Sequence, residues 1–183
     1  ARDGYQRAFP DRLRLPGVDL PDVFDIEDIL ADQPQQHLPI GHRVLVLDDL
    51  GNWRAIGTAI LLQEQGHQVT IATPDGEVAK GLANSTADIP LRRRFAKAGG
   101  RVLPYTALSA WLGGQAELLD LQADQLRTEP FDTLVLATMP RADDRLMQEA
   151  AAAGQPARLI GDAVASRRAS LAFYEGRAVG RVL

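Results

Sequence analysis

Apolar residues along this chain gather into short runs that predict strands and helices in alternation. One apolar, β-branched run covers residues 43–47 and does not alternate with polar residues, and residues 68–73 give the next predicted strand. Runs of this kind are typical of parallel strands that are covered on both faces. Between them, apolar positions from 56 to 62 recur near helical spacing, which predicts a helix capped by Asp49 or Asn52. The order strand, helix, strand indicates one crossover of a parallel sheet.

The remainder of the chain adds helices, a small antiparallel region and one more buried strand. Gly113 and Gly114 supply the positive φ angles of a tight turn, so the apolar stretches beside them predict a hairpin. The other predicted elements are a helix at 86–97, short strands beginning at 101–105, hairpin strands at 108–112 and 116–121, a buried strand at 131–138, a helix at 145–153, a brief strand at 159–160 and a terminal helix at 166–182. The predicted fold class is α/β, a Rossmann-like parallel sheet with helices plus a small antiparallel β-meander.

The first 40 residues differ from the rest in composition. They are rich in Pro and Asp, and the prolines leave room only for a short helix near residues 26–30. We therefore expect residues 1–40 to be a connector that wraps the domain, and residues 41–183 to form one nucleotide-binding-like domain. Because the chain begins with Ala1 and polar residues rather than Met, we expect it to be a fragment of a larger enzyme.

Composition and charge exclude several classes of partner and chemistry. The formal net charge is -4 and the sequence pI is about 5.4, which gives no electrostatic reason to expect nucleic acid as a partner. The chain has no Cys, so it holds no disulfide, no thiolate nucleophile and no Cys-ligated cluster. No apolar run approaches the ~20 residues of a membrane helix. We expect a soluble, cytoplasmic protein.

The loop between the first strand and its helix has the layout of a dinucleotide-binding turn without its glycines. Counted from Gly51, the second and third glycine positions hold Trp53 and Ile56. Asp48 and Asp49 add negative charge beside the helix N-terminus, where a pyrophosphate would bind. This pattern favours a structural loop that is too crowded and too acidic for a diphosphate.

The opposite interpretation of the same loop keeps a cofactor there. Counted back from Gly57, the glycine positions hold Arg54 and Asn52, so this register fails as well, and no acidic residue ends the second strand at Thr73. Arg54 can nevertheless pair with a phosphate, and Trp53 can stack on a ring. The candidate cofactor-binding residues of the loop are Asp49, Gly51, Trp53 and Arg54.

Two stretches of the chain resemble a known family. The first is VLVLDDLGNWRA at 44–55 with GHQVTIAT at 66–73, and the second is LIGDAVASRR at 159–168 leading to YEGRA at 174–178. Both look like the C-terminal, nucleotide-binding-like region of the trimethylamine dehydrogenase group of NADH:flavin oxidoreductases, which includes 2,4-dienoyl-CoA reductase. The likeness spans nearly the whole chain and implies a domain folded like the NAD domain of glutathione reductase-type flavoproteins.

The resemblance also implies the cofactors of a parent enzyme. Such enzymes join a barrel that holds FMN, a 4Fe-4S centre and this C-terminal part, so the fragment alone is expected to be catalytically silent. Gly161 and Asp162 match a motif that faces the FAD ribityl chain in related flavoproteins, and in the amine-oxidising branch ADP occupies that site. The alternative for Asp162 is that it only caps the terminal helix.

The degenerate glycine loop distinguishes the branches of this family. It favours an amine dehydrogenase or N-demethylase type parent, in which this domain has a structural role and helps to hold ADP or FAD. One alternative is an active NAD(P)H-binding domain, as in 2,4-dienoyl-CoA reductase. Another is a docking module for an electron-transfer partner.

Other candidate sites carry less chemistry. His37, His42 and His67 have no spacing that places two imidazoles on one metal. The basic run at 92–94 is more typical of a solvated helix face than of a phosphate site. Trp111 fits core or interdomain packing better than a stacking platform. The sequence therefore predicts no metal site and no catalytic residue in this chain.

Overall fold

The apolar runs form a parallel sheet of five strands. The computed structural model describes residues 3–31, 38–167 and 169–181. The strands of this sheet are β1 (Val23–Asp25), β2 (Arg43–Asp48), β3 (Gln68–Ala72), β4 (Arg101–Leu103) and β8 (Thr133–Ala137), in the spatial order β1-β8-β2-β3-β4. All four pairings are parallel. The predicted fold class is confirmed.

A separate antiparallel sheet of three strands follows β4. Its strands are β5 (Thr106–Trp111), β6 (Gln115–Asp120) and β7 (Gln125–Pro130), joined in that order. The predicted hairpin is β5 and β6, and both glycines of its turn have positive φ, +72° at Gly113 and +76° at Gly114. The strand at 101–103, expected to open this antiparallel region, instead pairs with β3 and extends the parallel sheet.

Helices cover one face of the parallel sheet. They are α1 (Ile26–Ala31), α2 (Trp53–Glu64) and α3 (Asp88–Lys97). Helix α2 begins where Asn52 caps it and buries the apolar side predicted from its spacing, including Ile56, Ala59 and Leu62. The buried residues of α2 form one cluster with the side chains of β2 and β8 that point to the same face, such as Val44 and Val135.

The N-terminal segment and the antiparallel sheet supply the core on the opposite face. Leu15 and Val18 are buried there with Leu45, Leu134 and Trp111. Gln6, also buried, fastens the segment to β5, because its amide donates to the Leu108 carbonyl at 2.8 Å and accepts from the Leu108 N–H at 3.0 Å. The segment also contributes β1, a strand that the proline-rich composition did not predict.

Two compact units divide the chain, residues 2–138 and residues 139–183. The second unit contains α4 (Arg145–Ala152), a 3₁₀ turn (Gly161–Ala163) and α5 (Ala169–Gly180), and neither helix buries a residue. The strand predicted at 159–160 is wrong, because these residues form no regular element. Two apolar residues make a strand only where another strand pairs with them. Helix α5 is shorter than predicted, and residue 182 lies outside the described residues.

Candidate functional site

The candidate site lies at the carboxyl end of β2. Strand β2 has β3 on one side and β8 on the other, so the strand order reverses here. In open parallel sheets this switch point is where ligands bind, next to the N-terminus of the following helix. Asp48 ends β2, Gly51 turns the chain with φ +62°, and α2 begins at Trp53.

The chain's own carboxylate occupies the amides of this turn. Asp48 Oδ1 accepts the N–H of Gly51 at 2.8 Å and the N–H of Leu50 at 3.1 Å. Asn52 Oδ1 accepts the N–H of Arg54 at 2.9 Å. Backbone amides of this kind are the donors that hold a pyrophosphate in a working dinucleotide site. Here side chains use them instead.

A second segment of the chain covers Gly51. The 3₁₀ segment Lys80–Ser85 approaches so closely that the Gly81 N–H donates to the Gly51 carbonyl at 2.8 Å. A Cβ added at Gly51 would lie 3.6 Å from the Gly81 nitrogen and 3.7 Å from Asp75 Oδ2. The space over the glycine, which a dinucleotide site leaves to the phosphates, is therefore lined by the protein itself.

Arg7 of the N-terminal segment completes the covering. Its backbone N–H donates to Asp49 Oδ2 at 3.0 Å, its Nε donates to the Asp49 carbonyl at 2.8 Å, and its Nη2 donates to Asp75 Oδ2 at 2.9 Å. Lys80 Nζ lies 3.3 Å from Asp75 Oδ1. Two cations of the chain therefore face the carboxylates of the turn.

Burial sets the acidity of these carboxyl groups. Loss of solvent raises the pKa of Asp48 to about 6, against two backbone hydrogen bonds that lower it, and the charges of Asp75 and Asp49 raise it further. Burial likewise raises the pKa of Asp49 above its ordinary value, although Arg7 opposes the change. At Asp75 burial is outweighed by hydrogen bonds from Arg7 and Lys80, so its pKa is lowered. The site is thus acidic with local cationic compensation.

The loop residues expected to contact a nucleotide have other surroundings in the structure. Trp53 is 56% exposed at the start of α2. Arg54 forms an ion pair with Glu27 of α1, so its guanidinium is already engaged. Gly57 lies inside α2, and a Cβ added there would meet nothing within 4 Å. It therefore does not serve the close helix–strand contact that the third glycine of a dinucleotide fingerprint provides.

Three residues that lie beside the turn were not predicted from the sequence. Arg7 and Lys80 lie far from the loop along the chain, and no local pattern marks them. Asp75 follows the end of β3 by three positions, within the Pro-Asp-Gly stretch, and contacts the turn through Arg7 and Lys80. The prediction that no acidic residue ends the second strand is confirmed, because β3 ends at Ala72, and Asp75 beyond it is paired with cations of the protein.

The second unit holds the other candidate motif. Gly161 has φ +63°, and its N–H donates to Glu175 Oε2 of α5 at 2.7 Å. Asp162 is exposed, and among the described residues its Oδ1 accepts a long contact of 3.4 Å from the Arg167 N–H. Since α5 begins at Ala169, Asp162 lies seven positions before it and is not its N-cap. The alternative of a helix-capping role was therefore wrong.

The remaining candidate residues that the structure describes make contacts within the fold and form no recognisable site. Among the described residues, no group of three or more His, Cys, Asp or Glu side chains can hold a metal ion. His67 Nδ1 lies 2.8 Å from the Gly41 carbonyl, whereas His37 lies outside the described residues. Within the basic run, Arg92 pairs with Glu77 and Asp88. Trp111 is 1% exposed, as the packing interpretation predicted.

No described helix has both the length and the apolar character that crossing a membrane requires.

Comparison with known proteins identifies the fold. No protein-family model matches the chain, and no curated protein matches it. Among solved structures, the chain is similar to 6-hydroxypseudooxynicotine amine oxidase from Pseudomonas geniculata N1 over 98% of its length, with 25% identity and a TM-score of 0.85. It is similar to histamine dehydrogenase from Rhizobium sp. 4-9 over 100% of its length, with 20% identity and a TM-score of 0.86.

A third similar structure is 2-naphthoyl-CoA reductase, which matches 91% of the chain with 24% identity and a TM-score of 0.70. The resemblance to the trimethylamine dehydrogenase-like family is confirmed. The chain spans only 27%, 29% and 24% of the three larger proteins, all of which are oxidoreductases by name.

Proposed function

We propose that this chain is the nucleotide-binding-like domain of a flavin- and iron–sulfur-dependent oxidoreductase of the amine dehydrogenase or N-demethylase type. The redox chemistry belongs to FMN and a 4Fe-4S centre in the parent enzyme. This domain has a structural role and holds ADP or FAD through Gly161 and Asp162. It does not take NAD(P)H at the turn after β2.

The observation that carries the proposal is the occupation of the turn by Asp48. A diphosphate would have to displace this carboxylate from the Gly51 and Leu50 amides and then lie among Asp48, Asp49 and Asp75. Negative charges that lie close together repel strongly where water is excluded. The same geometry disfavours the alternative of an active NAD(P)H-binding domain.

The exposed apolar surface of the second unit supports membership of a larger enzyme. Leu146 of α4 and Phe173 of α5 are each 79% exposed, and Tyr174 is 70% exposed. Large apolar side chains at neighbouring positions of a helix are typical of a protein interface. We propose that these helices pack against the remaining domains of the parent.

Calorimetric titration of the 183-residue chain tests the proposal. We expect no saturable heat with NADH or NADPH, because the Gly51 and Leu50 amides already donate to Asp48 and the carboxylates around them repel a diphosphate. ADP and FAD are the positive arms, with Asp162→Asn as the variant and Asp143→Asn, a second exposed aspartate of the same unit, as its matched control. Saturable NADH or NADPH binding would refute the structural role of the turn, and ADP or FAD binding unaffected by Asp162→Asn would refute the assignment of the motif.

A docking surface for an electron-transfer protein is the second candidate. Leu112, Leu121 and Leu126 of the antiparallel sheet region are 53%, 38% and 58% exposed. In the parent enzyme, Leu112→Ser and Leu126→Ser would slow electron transfer to the protein acceptor while leaving reduction of a small dye unchanged. Equal rates with the protein acceptor would remove this candidate.

A further inference from the structure

The crevice at the carboxyl end of β2 has the wrong charge for its usual ligand, and this points to another ligand class. Asp48 is fully buried and Asp49 is 2% exposed. One oxygen of each, Asp48 Oδ2 and Asp49 Oδ1, meets no hydrogen-bond donor among the described residues. Buried carboxylate oxygens without a donor are costly, because their solvation is lost without replacement. They indicate a site with remaining capacity for a cation.

A cation of the protein already lies in this crevice. Arg7 uses its Nε on the Asp49 carbonyl and its Nη2 on the Asp75 carboxylate, at 2.8 Å and 2.9 Å, so two nitrogens of its guanidinium donate to two acceptors at once. Planar, forked donors suit such an arrangement better than the point charge of an ammonium group. The crevice therefore selects for the guanidinium shape as well as for positive charge.

The Arg7 contact is reachable from solvent. The side chain of Arg7 is 49% exposed, whereas the side chain of Asp49 beneath it is 2% exposed. Removal of the Arg7 side chain would therefore open these carboxylates to a soluble cation. Asp49 is held by its backbone, whose N–H donates to the Ala137 carbonyl of β8 at 3.2 Å.

We propose that the ligand crevice of this Rossmann-like fold is a guanidinium site, formed by Asp49 and Asp75 beside Asp48 and filled by the chain's own Arg7. The fold has kept the position of the dinucleotide crevice and reversed the charge of its ligand. When Arg7 is absent, the site takes a small alkylguanidinium cation. This inference is independent of the proposed ADP or FAD site, which lies in the other unit.

Chemical rescue of Arg7→Ala tests the site. Thermal unfolding of the 183-residue variant is followed with methylguanidinium chloride and, at equal ionic strength, with tetramethylammonium chloride. We expect the variant to unfold at a lower temperature than the wild-type chain. We expect ~50 mM methylguanidinium to raise its midpoint by about 2–4 °C, saturably, because a ligand that binds only the folded state stabilises it.

Arg12→Ala is the matched control, because Arg12 belongs to the same segment but, within the described part of the chain, its hydrogen bond goes to the Ser109 carbonyl and its guanidinium lies over the Phe9 ring. It should show no rescue by methylguanidinium. Addition of Asp75→Asn to Arg7→Ala should abolish the rescue, since the guanidinium then loses a charged acceptor. If Arg7→Ala does not fold, Arg7→Gln keeps the apolar stem without the charge and carries the same test.

Two outcomes would overturn the inference. Equal midpoints in methylguanidinium and tetramethylammonium would show that the crevice has no guanidinium site. Saturable binding of inorganic pyrophosphate or ADP to Arg7→Ala, lost on restoring Arg7, would show that the crevice accepts anions once it is open. Neither result depends on whether ADP binds at Asp162, because the wild-type titration reports that site separately.

Discussion

Replacement of Asp48 by Asn tests the account of the turn most directly. Asn has nearly the same shape, and its Oδ1 can still accept the Gly51 and Leu50 amides. It cannot ionise. The substitution therefore removes one titrating group from the buried end of β2 and leaves the fold of the turn in place.

The magnitude follows from the pKa of Asp48. Burial raises this pKa from 3.8 to about 6 in the folded chain. Because the folded state binds the proton more tightly, the contribution of Asp48 to the free energy of unfolding is full below pH 3.8 and is lost as the pH rises through about 6. A shift of this size corresponds to about 3 kcal/mol in total, of which about 2 kcal/mol develops between about pH 7.5 and about pH 4.5.

The assay compares urea unfolding of the two proteins across that pH range. We expect the free energy of unfolding of the wild-type chain, minus that of Asp48→Asn, to increase by about 2 kcal/mol as the pH falls from about 7.5 to about 4.5. The control is Asp132→Asn, where hydrogen bonds from Arg43 lower the pKa of an exposed carboxyl. Its difference should stay nearly constant over this range, because the stabilisation by a carboxyl whose pKa is lowered from 3.8 is lost only at more acid pH.

A difference for Asp48→Asn that stays constant with pH would refute the reasoning, since it would mean that Asp48 ionises as readily in the folded chain as in the unfolded one. A difference in free energy of unfolding that decreases as the pH falls would mean that folding lowers the pKa of Asp48 instead of raising it. That result would make the turn a favourable site for a carboxylate charge, and thus for a phosphate.

Two further tests address the packing around this site and the second motif. Gly17→Ala should lower the free energy of unfolding by about 3 kcal/mol or more, because φ is +86° there and the new Cβ would lie 1.9 Å from the Trp111 carbonyl oxygen. Gly57→Ala, in open space inside α2, should instead raise the free energy of unfolding by about 0.5–1 kcal/mol. Denaturant unfolding of both variants checks this prediction, and equal effects would contradict it. Glu175→Gln should speed hydrogen exchange at the Gly161 amide, because a neutral acceptor binds that N–H more weakly than a carboxylate does. NMR measures the exchange rate, and an unchanged rate would show that Glu175 does not hold Gly161 in place.

The parallel sheet could be predicted from the sequence because its strands are buried on both faces. Such strands are typically continuous apolar runs, as 44–47 and 134–137 are, whereas 68–73 has polar residues between its apolar ones. Strand β7 could not be predicted in this way, because its residues are mostly polar and, among the described strands, it pairs with β6 at the edge of its sheet. Strand β1 is three residues long and follows Pro21, so its existence depends on the partner β8.

The acidic character of the turn could also be predicted, but its completion could not. Asp48 and Asp49 are local to the turn, and their charge beside a helix N-terminus is visible in the sequence. The contact between Arg7 and Asp49 joins residues 42 positions apart. Its geometry is set by the packing of Leu15 and Val18 beneath the antiparallel sheet, which fixes the path of the N-terminal segment.

The charges of the turn form a balanced set, and this explains why a single substitution would not restore a nucleotide site. Asp48 supplies the anion that the Gly51 and Leu50 amides require, and Arg7 supplies the cation that Asp49 and Asp75 require. Removal of Asp48 alone frees two amides but leaves two carboxylates and the covering segment at Gly81 in place. Removal of Arg7 alone exposes those carboxylates to an incoming phosphate. A diphosphate becomes favourable only when the acids, the cation and the covering segment change together, so the turn is stable in its present, structural form.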